Sequence, residues 1–400
     1  MSVKSFTSVA ALVAVTSTVA LTSTAHAQWT VTNLHPAGVT HSFAYAASGG
    51  QQAGGARVGG EHRARLWSGT AASWVDLHPA DATYSIAHAA GGGQQAGYAF
   101  VGGAYRASLW SGTAASWVDL HPAGATRSRA DAASGGQQAG RAVVGGLERA
   151  SLWSGTAASW VDLNPAGATY SGAQAISGGQ QAGWAVVGDA YRASLWSGTA
   201  ASWVDLDPAG STSSKALAAS GGQQAGSAYV GGVRRASLWS GTAASWVDLH
   251  PAGATWSEAR AVSGGQQAGY AAVGGTVHAS LWNGTAASWV DLHAFLPAGF
   301  SSSQAHGISS DGVNTYIAGF GYNSVTGRTE ALLWVYGCPG TGSGACSRAD
   351  WNEDGVIDFN DFLAFLNDFN AQDPCADLNQ DAVVDFNDFL VFLNLYNAAC

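Results

Sequence analysis

The chain has 400 residues, room for two or three domains, and only 10% of them are charged, against roughly 25% in ordinary soluble domains. The formal net charge of −10 sits at one end: from Arg348 onward there are 11 acids and one Arg, and the remainder balances at 15 acids and 15 bases. A near-neutral body without a basic stripe excludes nucleic acid as a partner.

At the N-terminus, Lys4, an apolar stretch over 9–21 and Ala25-His26-Ala27 read as the three parts of a signal peptide over 1–27. The apolar run is too short to span a bilayer and none follows it. The mature chain is therefore expected to be secreted, extracellular or at the cell surface, with no membrane span.

Residues 28–337 are dominated by a repeat of 43 residues. One Trp series falls at Trp67, Trp110, Trp153, Trp196, Trp239 and Trp282, with Trp334 after a longer, divergent copy. A second falls at Trp29, Trp74, Trp117, Trp160, Trp203, Trp246 and Trp289. A period in the low forties suits a four-stranded propeller blade. In the second unit, 85–90, 94–101, 106–110 and 117–120 read as strands punctuated by Gly91-Gly92-Gly93 and Gly102-Gly103. Gly this frequent would cost helices about 1 kcal/mol per residue, so helical repeats are set aside. The region opens with a lone fourth strand, 29–34, and closes with a lone third strand, 331–336. Pairing the two completes a ring and removes two exposed edges. The expected fold class is all-β, a seven-bladed β-propeller closed by its N-terminal strand, followed by a small α-helical domain; an open β-solenoid is the alternative. The Ser-Gly-Thr-Ala-Ala-Ser linker is expected to be a hairpin loop that sets Trp110 opposite Trp117.

Copies inside one chain show which positions are free to change. Along the first strand, one column reads His41, Tyr84, Arg127, Tyr170, Ser213 and Trp256. Two residues on, it reads Phe43, Ile86, Arg129, Gly172, Lys215 and Glu258, and then Tyr45, His88, Asp131, Gln174, Leu217 and Arg260. The second strand adds Gly55, Tyr98, Arg141, Trp184, Ser227 and Tyr270. Constant Thr, Ser and Ala alternate with these, which puts the variable residues on one strand face. His41, Tyr84, Arg127, Tyr170, Trp256, Tyr98, Arg141, Trp184 and Tyr270 are thus the candidate ligand face, with an extracellular glycan or protein as its partner; drift on a solvated face is the competing reading. Arg63, Arg106, Arg149, Arg192, Arg235 and His278 recur four residues before each Trp, and Asp76, Asp119, Asp162, Asp205, Asp248 and Asp291 in the strand after it. Copies spread around a ring suit structural pairing rather than a catalytic set, and no catalytic residue is assigned.

The unit containing His278-Ala279-Ser280-Leu281-Trp282, Asp291-Leu292 and 257–269 resembles the bacterial extracellular repeat family named HAF, over residues 29–336. That resemblance implies an extracellular setting and no particular activity.

Cys338, Cys346, Cys375 and Cys400 all lie within the last 63 residues, where two disulfides are expected with the three connectivities open. A linker over 338–347 leads to a calcium-binding domain over 348–400. Its two loops, 350–361 and 377–388, offer oxygen ligands at the spacing a hard cation requires. The first supplies Asp350, Asn352, Asp354, the carbonyl of Val356, Asp358 and Asp361; the second supplies Asp377, Asn379, Asp381, the carbonyl of Val383, Asp385 and Asp388. Each runs into an apolar helix, 359–369 or 386–396. Where the first loop has Gly355 the second has Ala382, so two calcium sites are expected with the second weaker. With Asp at the twelfth position of both loops, residues 346–400 resemble a type I dockerin, most closely the planctomycete type found at C-termini, although the chain ends Ala399-Cys400 in place of Gly-Cys. The resemblance implies an EF-hand-like dockerin fold that docks onto a cohesin-like or other surface protein through Phe359, Asn360, Phe386 and Asn387. The expected function is a secreted, non-enzymatic ligand-binding or adhesion propeller anchored through this module. The alternatives are a dockerin-borne carbohydrate-active hydrolase or lyase, for which His293, His306, Asp311 and Glu330 are the unrepeated candidates, and a structural surface or matrix protein.

Overall fold

The structure is a computed structural model that describes residues 28–400 except 342–344, 380, 382 and 399. The expected signal peptide over 1–27, part of the expected linker, and the residues Ala382 and Ala399 therefore lie outside the described residues. The described chain divides between Cys338 and Pro339 into two units.

The larger unit is a seven-bladed propeller: seven four-stranded antiparallel sheets, each in simple meander order. The first blade runs His41–Ser48, Gln51–Val58, Glu61–Trp67 and Val75–Asp76. Gly-Gly pairs make its hairpins, and in the second blade Gly92 and Gly93 stand at φ 58° and 76°, the double positive φ of a tight primed turn. The last sheet takes Gln28–Asn33 as its outer strand, antiparallel to Arg328–Gly337, so the N-terminal strand closes the ring as expected. The fourth strand differs from its expected form. It is only Val118–Asp119 in the second blade, and the linker before it winds into a 3₁₀ turn, Ala114–Ser116, whose Ser116 Oγ caps Ser111 N at 2.8 Å. The two Trp of a unit consequently do separate jobs. Trp117 donates Nε1–H to Ser108 Oγ at 2.9 Å, while Trp110 is fully buried against Ala46, Ala64, Leu66 and Leu77 of the preceding blade. Every blade repeats that plug, and each buried indole contributes about 4–6 kcal/mol of apolar burial.

Constant polar residues staple the ring both between blades and within them. Ser85 Oγ accepts from Ala64 N of the blade before it at 2.9 Å, and Asp119 takes the Arg106 guanidinium at 2.7 Å while accepting His121 N at 2.8 Å. Gln95 closes its own hairpin by accepting Gly112 N at 2.8 Å. The repeated Arg–Asp columns are thus structural pairs.

In the smaller unit, helices α1 (Phe359–Asn370) and α2 (Phe386–Asn397) face each other through Phe365 and Phe392, stacked at 4.0 Å, with Trp351 edge-on to Phe365 at 5.1 Å. Cys346 is bonded to Cys400, and no cysteine is free. No helix among the described residues is long and apolar enough to cross a membrane.

Candidate functional site

All seven inner strands share a β-bulge at the same place, after Ala44, Ala87, Ala130, Ala173, Ala216, Ala259 and Ala305, and three of them have a second register shift near their start. The extra, unpaired residues are Tyr45, His88, Asp131, Gln174, Leu217, Arg260 and His306. A bulge re-aims the side chain it carries. These seven line one cavity of about 280 Å³ to which every blade contributes, the central channel of the ring. The bulge also explains how an inner strand packed between neighbours can vary: Ser and Ala fill the blade interfaces, and the odd residue is turned into the channel.

Two residues earlier the variable side chains sit in cross-strand register with the variable column of the second strand. Four of the seven pairs match in size or by a hydrogen bond: Phe43 with Gly55, Gly172 with Trp184, Lys215 with Ser227, and Glu258 with Tyr270. A Cβ on Gly172 would meet the Trp184 ring at 2.9 Å, so these two identities are locked together.

The sign of the surface differs around the ring. On one side lie aromatic rings: Phe43 edge-on to Phe320 at 5.1 Å, Tyr45 against His88 at 5.0 Å and His306 at 5.6 Å, and Tyr84 stacked on Tyr98 at 5.8 Å. On the other side, from the third to the sixth blade, lie Arg127, Arg129, Arg141, Lys215, Arg234 and Arg260, against the carboxylates Asp131, Glu148 and Glu258. Arg129 Nε bonds Asp131 at 2.7 Å, Arg141 meets Glu148 at 2.9 Å, and Arg234 and Arg260 reach Glu258 at 3.0 and 3.2 Å. Lys215 has aromatic neighbours in place of a carboxylate, Tyr191 at 4.0 Å and Trp184 at 5.4 Å. Burial, with Arg129 close by, drives the His88 imidazole down to about 3, and burial holds His306 well below the usual histidine range, so both are neutral. Burial works to raise the Asp131 carboxyl, but Arg129 and Arg141 outweigh it and hold it below the usual range. Burial lowers the Lys215 ammonium, Arg141 and Arg260 push the same way, and Glu258 opposes them. Six cations and three anions converge here in a unit that is near neutral as a whole.

Of the residues the sequence singled out, Arg127 and Tyr170 are exposed, His41, Tyr84, Trp256, Tyr98 and Arg141 are half-buried, and Trp184 and Tyr270 are 6% and 7% exposed. An open face is therefore corrected for the last two, which are enclosed by Lys215 and by Glu258, the Tyr270 hydroxyl donating to Glu258 at 2.8 Å. Sequence reasoning missed a fifth variable column, on the third strand directly before the repeated Arg: His62, Tyr105, Glu148, Tyr191, Arg234 and Val277. Its variability was the available signal. Of the unrepeated candidates, His306 lies in the channel, His293 bonds Ser303 Oγ at 2.8 Å, Asp311 caps a turn through Asn314 N at 2.6 Å, and Glu330 sits at the ring closure.

In the C-terminal unit each loop wraps around its own carboxylates. Asp350 accepts Asp354 N at 3.1 Å and Gly355 N at 2.9 Å, and Asp361 accepts Asn352 N at 2.9 Å and Asp358 N at 2.8 Å. In the second loop Asp388 accepts Leu378 N and Asp385 N, both at 2.8 Å. Asp350, Asp361 and Asp388 are fully buried. Burial pushes the Asp361 carboxyl up, and the charges of Asp350 and Asp354 push the same way. Phe359 and Phe386 are exposed at 63% and 64%, with Asn360 and Asn387 beside them on the first turns of α1 and α2.

No family model matches the chain, and no curated protein does. Among solved structures, the β-propeller domain of the Trilobed protease from Pyrococcus furiosus is similar in fold, with a TM-score of 0.51 at 9% identity over 74% of this chain and 95% of that one. The acylaminoacyl peptidase of Pyrococcus horikoshii follows at 0.49 and 11%, over 74% of this chain and 51% of that one. A Mycobacterium tuberculosis puromycin-hydrolyzing peptidase follows at 0.48 and 16%, over 76% and 55%. The chain spans about half the length of these two peptidases. The expectation of a non-enzymatic binding or adhesion propeller, anchored through a docking module, is corrected by the first of these: a solved propeller similar in fold to this one is a domain of a protease, so the ring is no ground for setting an enzyme aside. What the likeness itself shows is the propeller fold.

Proposed function

We propose that the larger unit is a peptide-handling ring, taking up peptide at its channel and the cationic–aromatic surface around it. The observation that supports this reading is the division of labour inside the repeat. Constant residues build turns, plugs and staples, and the variable ones gather on the channel, the bulge residues into a single cavity. Aromatic rings on one side suit apolar side chains, and guanidinium and ammonium groups on the other suit acidic ones. The test is fluorescence anisotropy of the full chain with a labelled peptide library. Saturable binding is expected, weakened at least tenfold by joint Tyr98→Ala and Tyr105→Ala substitution; a library without one saturable binder would overturn the reading.

The C-terminal unit supports a second proposal, two calcium ions, together with the dockerin resemblance that suggested them. Asp350 and Asp361 are buried, and the charges of Asp350 and the exposed Asp354 both act on Asp361, a crowding of carboxylates that a hard divalent ion would relieve. Asp350, Asn352, Asp354, Asp358 and Asp361 would hold the first ion with the Val356 carbonyl, and the matching residues from Asp377 to Asp388 the second. Gly355 stands at φ 85°, where an Ala is strained, so the loop carrying Ala382 is the weaker site. Calorimetry on the full chain should find two sites of unequal affinity, and Asp350→Asn should remove the tighter one. Two equal sites, or a tighter site surviving that change, would refute the assignment.

A further inference from the structure

Blade three alone sets two cations opposite each other at the variable cross-strand pair. At the position where the first blade pairs Phe43 with Gly55 and the fifth pairs Lys215 with Ser227, it sets Arg129 directly across from Arg141. Like charges in cross-strand register destabilise a sheet, and a third cation, Arg127, follows on the same inner strand. These three line a cavity of about 310 Å³ with Glu148, Tyr98 and Tyr105. Two carboxylates partly neutralise them. Asp131 takes Arg129 through Nε and Nη2 on a single oxygen, and Glu148 takes Arg141 through Nε at 2.9 Å. Arg127 stands 3.9 Å from Glu148 and is 64% exposed. Three guanidiniums thus share two carboxylates, and one positive charge is left over at the pocket. Arg141 reaches its partner through Nε, which keeps its planar terminal pair of N–H groups for another acceptor. Tyr98 and Tyr105 meet edge to face at 5.5 Å and form an aromatic wall beside it.

We propose that this pocket between the second and third blades is a carboxylate subsite, which selects peptides by an Asp or Glu side chain or by a free C-terminus. A planar carboxylate matches the arginine fork bidentately and supplies the single negative charge the cluster lacks. The proposal rests on the peptide-handling reading, whose failure is separable from its own.

The experiment uses the full chain and four labelled peptides of one sequence: a central Glu or its Gln counterpart, each with a free or an amidated C-terminus. The Glu peptide, or the free-terminus form, is expected to bind at least tenfold tighter than the Gln amide, and the pair that differs identifies the source of the carboxylate. Arg141→Gln should erase that difference, while Arg57→Gln, which removes the same charge from an exposed site in the first blade, should keep it. Glu148→Gln frees Arg141 and should tighten binding of the acidic form, which keeps the test decisive if Arg141→Gln does not fold. Equal affinity of all four peptides, or an Arg141→Gln loss shared equally by acidic and neutral forms, overturns the subsite and leaves the peptide reading standing. Failure of every peptide, with binding of an acidic polysaccharide instead, overturns both.

Discussion

Asn164 occupies the place that His78 and His250 hold in other blades, and its hydrogen bonds locate the proton on those rings. Asn164 Nδ2 donates to Ala168 O at 3.2 Å, and its Oδ1 accepts from Ser171 Oγ at 2.6 Å. His78 makes the same two contacts, Nε2 to Ala82 O at 2.8 Å and Nδ1 to Ser85 Oγ at 2.7 Å. The ring is therefore neutral, with Nε2–H donating and Nδ1 accepting from a Ser whose oxygen in turn accepts Ala64 N. Protonation would give Nδ1 a hydrogen that faces the serine's own. Burial accordingly lowers His78 and His250 below the usual range of about 6.5. A folded pKa below the unfolded one means that the unfolded chain binds more protons, so this contribution is complete above about pH 6.5 and declines as the pH falls below it. Melting temperature should drop between pH 7.5 and 5. His78→Asn should cost less than about 1 kcal/mol by denaturant titration and His78→Ala about 1–2 kcal/mol, since only the second leaves Ser85 without its acceptor.

At the scale of one strand, the bulge decides which glycines are replaceable. On the second strand of blade two a Cβ at Gly97 would meet Ile86 O at 1.9 Å, because the inner strand crowds in just before its bulge. In blade one a Cβ at Gly55 has only Arg63 O at 3.4 Å and Ile86 Cγ1 at 3.6 Å around it. Gly97→Ala is expected to cost about 3 kcal/mol or more and Gly55→Ala less than about 1 kcal/mol; similar values would mean that the bulge is misplaced. The sequence pattern made the strands readable and hid the bulge. Gln94–Val101 was legible to the residue, because Gly pairs bound it on both sides. The bulge adds one residue without a Gly or Pro to mark it, and its trace is the adjacent constant pair Ala46-Ala47, Ala89-Ala90 and Ala132-Ala133, where period two breaks. With the bulge unseen, one column of channel residues looked like part of an outer face, and the column on the third strand went unread. The two acidic loops proposed to hold calcium pose the opposite problem: every candidate ligand lies within twelve residues of the next element, so no long-range geometry has to be guessed.

For the whole molecule the decisive contact is the one that makes a line of blades into a ring, and there the repeat inverts its chemistry. Other blades put Arg, or His278 in the sixth, on the third strand and Asp on the fourth; the closing blade has Glu330 on the third and Asn33 on the N-terminal strand. Glu330 is 1% exposed and accepts from Asn33 Nδ2 at 2.7 Å, Arg328 Nε at 2.9 Å, Thr326 Oγ1 at 2.8 Å and Asn323 Nδ2 at 3.2 Å. An Asn-bearing strand fits this acid and would leave the Arg or His of any other blade without its carboxylate, so the inversion directs the N-terminal strand to the one correct edge. Burial works to raise the Glu330 carboxyl, but Arg328 and the other donors outweigh it and bring it to about 2. A folded pKa below the unfolded value of about 4.3 gives stability that is complete above that value and is lost as the pH falls through the folded one. Glu330→Gln should therefore cost about 3 kcal/mol at neutral pH, where it removes a buried, four-fold hydrogen-bonded charge and strands Arg328. The cost should shrink steadily below about pH 4.3 and vanish near 2, a window distinct from the histidine window above it. Hydrogen exchange would place the loss at the closure, with residues 28–33 opening before any complete blade. A cost independent of pH, or protection lost equally around the ring, would show that the contact is ordinary packing and that the ring holds by its Trp plugs alone.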